Sequence, residues 1–280
     1  MSKITENAIE RLAIERLESL GYSYVYAPTI APDSNVPERD RFEQVLLLKR
    51  LQNAVRRINP TLPFDAQNEA LKEVQRISSP DVLANNEAFH RLLTEGVPVT
   101  KRVEGGEERG DRVWLIDFKN PLNNEFVVTN QFTIVENGNN KRPDIILFVN
   151  GLPLVVIELK NAVDEKATLN SAFKQLETYQ SIIPSLFTFN AFMVISDGLE
   201  AKAGSLSASL SRFMAWKSAD GKTEASRLVS ELEVLIEGML NKETLIDLIR
   251  HFIVFEKTKK EDTETKITTI STIKKLAAYH

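Results

Sequence analysis

Residues 145–157 constrain the fold of this 280-residue chain more than any other stretch. Ile145-Ile146-Leu147-Phe148-Val149 is apolar at every position, which argues for a strand buried on both faces. Asn150-Gly151 follows, a strong signal for a tight hairpin turn. Leu154 to Lys160 then reads as the returning strand. The hairpin is bounded by charge: Arg142-Pro143-Asp144 enters it, and Glu158-Leu159-Lys160 leaves it, with Glu158 fourteen residues after Asp144. Polar groups beside so apolar a run are costly to bury without a role.

Register decides whether these charges meet. In a strict two-residue turn Val149 faces Leu152 and Asp144 faces Ile157, so Glu158 points to the other side of the sheet. Convergence of Asp144 with Glu158 needs an odd loop or a β-bulge. Pro153 favours one, because it cannot donate to the ladder. Glu158 and Lys160 are two apart and share a face in either case.

If the three meet, Asp144 and Glu158 offer hard oxygen ligands suited to Mg²⁺, and the Leu159 carbonyl could add another. Such a cation activates water and screens a phosphodiester's charge. Lys160 would orient that water or stabilise the developing charge. On the following helix Gln175 and Tyr179 are four apart and share a face. They could reach a phosphate or hold Lys160, or form a plain helix–sheet contact.

Around this hairpin the pattern predicts an α/β (α+β) fold, a mixed sheet flanked by helices. Ile4–Leu20 reads as a helix stopped by Gly21, and Tyr22–Tyr26 as a short strand. Pro28–Pro37 is a loop. A helical insertion is expected at about 38–95: a stripe of Phe42, Val45, Leu46, Leu48 and Leu51, then Ala66–Val74 and Val82–Leu93. Strands are predicted at Val99–Val103, Val113–Phe118, Glu125–Val135 and Asp144–Val149, punctuated by Glu104–Gly110, Asn120–Asn124 and Asn137–Asn140. A helix at Thr168–Ile182 and a strand at Phe187–Ile195 complete a core spanning 1–200. Residues 201–256 are expected to be a mostly helical extension, clearest at Leu228–Met239 and Thr244–Phe255. Lys257–Lys266 alternates charges and reads as a solvated linker, the start of a linker over 257–280.

Composition narrows the chemistry. No cysteine is present, which excludes disulfides and thiolate metal sites, and His90, His251 and His280 lack metal-ligand spacing. His90 and His251 lie in helical patterns and are expected to be structural, as Trp114 and Trp216 are expected to pack. There is no apolar leader or bilayer-length run, so a cytoplasmic protein with no membrane partner is expected. The net charge of -4 argues against a surface that grips DNA everywhere. It leaves room for a metal-dependent nuclease whose DNA contacts are local or come from another domain.

These residues resemble the PD-(D/E)xK nuclease superfamily, in the branch with a Gln-x-x-x-Tyr helix. Pro143-Asp144 fits the first motif, Glu158-Leu159-Lys160 the second, and Gln175-Leu176-Glu177-Thr178-Tyr179 the third. More narrowly, Arg142–Asn161 and the opening Thr5–Tyr22 are similar to the N-terminal nuclease domain of type I restriction enzyme R subunits, over most of residues 1–200. The resemblance implies a restriction-endonuclease-like core and Mg²⁺-dependent, sequence-nonspecific cleavage of double-stranded DNA once translocation stalls. It implies modification and specificity subunits as partners. It also implies that Glu10, rather than Glu6, completes the metal site with Asp144 and Glu158, and that Asn130-Gln131-Phe132 belongs to the sheet. Ile267–His280 is similar to the lead-in to the ATP-dependent motor of such subunits. No Gly-x-x-x-x-Gly-Lys-[Ser/Thr] phosphate loop occurs here, so ATP would bind only elsewhere in a longer subunit. Two other readings remain open: a non-catalytic module coupling DNA to a motor, its charges an ion-pair network, and a free-standing repair nuclease of the same superfamily.

Overall fold

A computed structural model describes residues 5–102, 107–161, 168–261 and 268–277. The first helix, α1 (Glu6–Ser19), is capped by Thr5, whose hydroxyl accepts the Ala8 amide at 3.3 Å, and it buries Ile9, Ala13, Ile14 and Leu17. Gly21, at φ +85°, turns the chain into β1 (Ser23–Tyr26). Three helices follow, α2 (Leu48–Ile58), α3 (Phe64–Gln75) and α4 (Val82–Glu95), then an antiparallel pair, β2 (Val97–Arg102) and β3 (Glu108–Val113). Next come β4 (Phe126–Asn130), the small hairpin β5 (Ile134–Glu136) and β6 (Asn139–Lys141), and the long hairpin β7 (Ile145–Val149) and β8 (Leu152–Leu159). After α5 (Leu169–Ile182) and the short α6 (Pro184–Thr188), β9 (Phe192–Ser196) and β10 (Ala201–Gly204) finish the main sheet. The rest comprises α7 (Glu231–Met239), α8 (Lys242–His251) and the ribbon of β11 (Ile253–Glu261) with β12 (Thr268–Leu276).

The main sheet has six strands in the order β1-β4-β7-β8-β9-β10. It is mixed: β1 runs parallel to β4 and β8 parallel to β9, while the other neighbours are antiparallel. Helices flank it, α1 against β1, β4 and β8, and α5 against β8 and β9. This is the α/β architecture expected of a restriction-endonuclease-like core. Every residue of β7 and β8 is buried. At roughly 1.5–3 kcal/mol for each fully buried large aliphatic or aromatic side chain, this hairpin can carry the cost of charges desolvated at its open end, several kcal/mol per ion.

The turn at Asn150-Gly151 has both residues at positive φ, +53° and +81°, as a two-residue hairpin of this kind requires. The pairing is the bulged one. Val149 faces Leu152 and Phe148 faces Pro153, but Leu147 then faces Val155 and Ile145 faces Ile157. Leu154 is the extra residue. Its carbonyl accepts the Ala191 amide at 2.7 Å, so the bulge is tied to the entry of β9.

Several local expectations give way to tertiary contacts. The Phe42–Leu46 part of the apolar stripe is not helical, and α2 begins only at Leu48. Leu47 instead donates its amide to the Gly151 carbonyl at 3.0 Å, which holds this stretch on the hairpin turn. The strand expected at Val113–Phe118 lies earlier, at Glu108–Val113. Asn59 takes the place of a neighbouring strand for Trp114, accepting its amide and donating to its carbonyl, both at 2.8 Å. Gln131, at φ +58°, interrupts the expected Glu125–Val135 strand, and Asn137-Gly138, at φ +51° and +77°, turns β5 into β6. Phe187–Ile195 is not one strand, because Pro184 opens a helical turn that lasts to Thr188. Residues from Ser205 onward are not mostly helical: α7 and α8 span 231–251, and Phe252 ends the predicted Thr244–Phe255 helix. Within the expected solvated linker, Lys257–Glu261 pairs with Thr268–Thr272 in the ribbon, and 262–267 lie outside the described residues.

Candidate active site

The bulge puts Asp144 on the residue pair beyond Ile145 and Ile157, opposite Glu158. Asp144 Oδ2 accepts the Leu159 amide at 2.7 Å, which fixes its carboxylate across the mouth of the hairpin. Glu158 is only 2% exposed, near the open end of β8. Lys160 reaches back to it: Nζ lies 2.6 Å from Glu158 Oε1 and 2.9 Å from the Leu159 carbonyl. Glu6 of α1 stands 3.8 Å from the same ammonium. The backbone of Lys160 is fixed by its own amide, which donates to Ser196 at the end of β9 at 2.8 Å.

Electrostatics follow from burial and crowding. Burial pushes the Asp144 carboxyl up to about 6, opposed by the Leu159 amide and Lys160 and reinforced by Glu6 and Glu10. The Glu158 carboxyl is pushed up to about 8, first by burial and then by the Asp144 charge. Burial pulls the Lys160 ammonium down, but Glu158, Asp144 and Glu6 outweigh it, and its pKa lies above the ordinary value. Lys160 is therefore charged and unsuited to be a general base. Two acids that resist joint ionisation, beside one cation, mark a site that gains from more positive charge.

One atom points to what would supply that charge. Glu158 Oε2 is buried with no hydrogen-bond partner among the described residues. Buried carboxylate oxygens are rarely left without a donor. Together with Asp144 and the Leu159 carbonyl, it makes a hard-oxygen set that fits a divalent cation such as Mg²⁺. Among the described residues no three His, Cys, Asp or Glu side chains are grouped as a ligand set by themselves.

The remaining sequence candidates sit around this centre. Glu10 is buried on α1 and accepts the Asn130 amide at 2.5 Å, while Asn130 Oδ1 accepts the Tyr24 hydroxyl at 2.9 Å. Glu10 is near enough for its charge to act on Asp144. Gln175 hydrogen-bonds Tyr179, whose hydroxyl donates to the Arg142 carbonyl at 3.3 Å. Tyr179 thus braces the segment leading into Asp144 instead of holding Lys160. Its phenol is pushed well up by burial and by the Glu158 and Asp144 charges. Tyr24 escapes the sequence argument, as do the tie of Asn130 to Glu10 and the approach of Glu6 to Lys160. For Asn130 and Tyr24, the missing signal is the parallel pairing of β1 with β4, which aligns Tyr24 with Val128 and Tyr26 with Asn130 across more than a hundred residues of chain.

Other polar features are structural. His90 is buried and its imidazole is held down to about 3, by burial and by Lys274. Trp216 is buried and donates to the Ser218 carbonyl at 2.6 Å. No helix among the described residues is long and apolar enough to cross a membrane.

The family model described as the type I restriction enzyme R protein N terminus matches residues 3–212. The type I restriction enzyme HindI endonuclease subunit of Haemophilus influenzae is 42% identical over 99% of this chain. A Methanocaldococcus jannaschii protein, provisionally named as the type I restriction enzyme MjaIXP endonuclease subunit, is 32% identical over 92% of it. The chain spans about a quarter of the length of these relatives, 26% of each. On this match the chain belongs to the family of the type I restriction enzyme R protein N terminus.

Proposed function

We propose that this chain is the nuclease part of a type I restriction enzyme R subunit and hydrolyses phosphodiesters of double-stranded DNA with Mg²⁺. The observation that carries the proposal is the bulge-enforced meeting of Asp144 and Glu158, with the buried, unpartnered Glu158 Oε2 beside them. Asp144 and Glu158 would hold the metal, with the Leu159 carbonyl, and Glu10 would complete the set by charge or through a bridging water. When bound, Mg²⁺ supplies a Lewis acid that screens the scissile phosphate and activates water. Lys160 would orient the attacking water or stabilise charge on the phosphate. Tyr179 and Gln175 would keep Arg142–Asp144 in place. Buried acids beside a single bound cation suit binding of more positive charge better than a self-sufficient ion-pair network.

DNA grip, ATP-driven translocation and target choice would lie in the rest of a longer subunit and in modification and specificity subunits. Cleavage would follow stalling of the motor and would be sequence-nonspecific. The test is plasmid cleavage by the assembled enzyme carrying Asp144→Ala or Lys160→Ala. Loss of cleavage with ATP hydrolysis retained supports the proposal. Full cleavage by either variant would leave only the non-catalytic coupling role.

A further inference from the structure

The ammonium of Lys160 does not face outward toward a substrate. It sits on Glu158 Oε1 and the Leu159 carbonyl, at 2.6 and 2.9 Å. The Leu159 carbonyl is one of the oxygens that the proposed metal would use, and Glu158 Oε1 belongs to the same carboxylate as the unpartnered Oε2. Among the described residues no other cation lies within ion-pair distance of Asp144 or Glu158. We infer that Lys160 is a tethered stand-in for the divalent cation: its ammonium occupies the Leu159 carbonyl and one oxygen of the Glu158 carboxylate until a metal ion displaces it, and only then is it free to reach the phosphodiester. This inference rests on the metal-dependent reading above.

Three features support the exchange. An ammonium is a compact, strongly hydrated point charge, the side chain most like a hard metal ion in what it seeks. The lysine backbone is pinned to Ser196, so any movement is confined to the flexible four-carbon stem. Glu6, 3.8 Å away and half exposed, offers an acidic group on the outer side to receive the ammonium as it leaves Glu158. The arrangement orders events: without metal, Lys160 is held away from DNA, and the metal that completes the site also releases the group that assists the reaction. It also lowers metal affinity, because each binding event must displace a cation that cannot diffuse away.

The experiment uses this 280-residue chain. Nitrogen-15 lysine NMR follows the Nζ resonance of Lys160, assigned by its absence in Lys160→Gln, during a Mg²⁺ titration. Calorimetry measures Mg²⁺ affinity for wild type, Lys160→Gln and Asp144→Asn. The expected result is a protected Nζ signal without metal that is lost at saturation, with Lys160→Gln binding Mg²⁺ roughly tenfold more tightly, the scale for removing one adjacent positive charge. Persistence of the bound Nζ signal in saturating Mg²⁺, with Lys160→Gln binding no more tightly, overturns the exchange. In that case weaker binding by Asp144→Asn still upholds the metal site. Mg²⁺ binding unaffected by Asp144→Asn overturns both.

Discussion

Asp144 lies opposite Glu158 because Leu154 is an extra residue on β8 that moves the pairing by one position. Without that bulge the two acids would occupy opposite faces of the sheet. With it, they share a buried site, and the fold carries the repulsion.

That repulsion fixes the sign of a pH effect. Asp144 and Glu158 are pushed up to about 6 and about 8, from ordinary carboxylate values of about 4. Between those limits the folded chain holds more protons than the unfolded chain, so these acids lower stability as pH rises. Asp144→Asn keeps an acceptor for the Leu159 amide and removes one charge. Thermal melts should show the variant close to wild type near pH 5 and more stable at pH 8, by roughly 2–4 °C for about 1 kcal/mol. A less stable variant at pH 8 would count against the shared site.

Gly151→Ala tests the turn. Gly151 has φ +81°, and an added Cβ would stand 2.5 Å from the Leu47 carbonyl oxygen and 3.0 Å from the Leu51 nitrogen. Backbone strain and the clash should cost about 1–3 kcal/mol in urea unfolding. A neutral result would mean that the turn does not anchor the start of α2.

Lys274 is a buried ammonium whose Nζ lies 2.7 Å from both Asn86 Oδ1 and the Asn190 carbonyl, with no carboxylate partner among the described residues. Burial holds its pKa well below the ordinary lysine value. The unfolded chain therefore binds more protons here, and the contribution of Lys274 to stability should climb with pH toward about 10, against the fall from Asp144 and Glu158 below about 8. Lys274→Met should flatten that climb in melts between pH 7 and 10. An unchanged slope would contradict this.

In the assembled enzyme, Lys160→Ala should lower DNA cleavage by at least ~100-fold. Tyr179→Phe removes two hydrogen bonds, to the Arg142 carbonyl and with Gln175, and should cost less than about thirtyfold, near the ~1 kcal/mol value of each such bond. ATP hydrolysis serves as the control. A Tyr179→Phe defect as large as that of Lys160→Ala would place Tyr179 in direct contact with substrate.

The central hairpin was legible in the sequence because apolar continuity, Asn150-Gly151 and the flanking acids all point to one structure. The need for a bulge followed from strand alternation alone, and Pro153 hinted at its place. Trp114–Phe118 is apolar enough for a strand, yet Asn59 bonds the Trp114 backbone first. β3, Glu108–Val113, has almost no apolar alternation because most of it is exposed, so periodicity could not find it. Charges in 257–261 read as a solvated linker, yet the stretch is a strand, because it pairs with 268–272 in a ribbon that periodicity does not show. Glu10 follows from the resemblance, whereas its tie to Asn130 depends on the β1–β4 pairing.

The most direct measurement is a crystal of this chain soaked in Mn²⁺ and examined by anomalous scattering. One peak is expected between the Asp144 and Glu158 carboxylates, at ligand distances of about 2.0–2.2 Å, with Lys160 Nζ moved off Glu158. A crystal that takes up Mn²⁺ elsewhere, with Lys160 still seated on Glu158 Oε1, would contradict this.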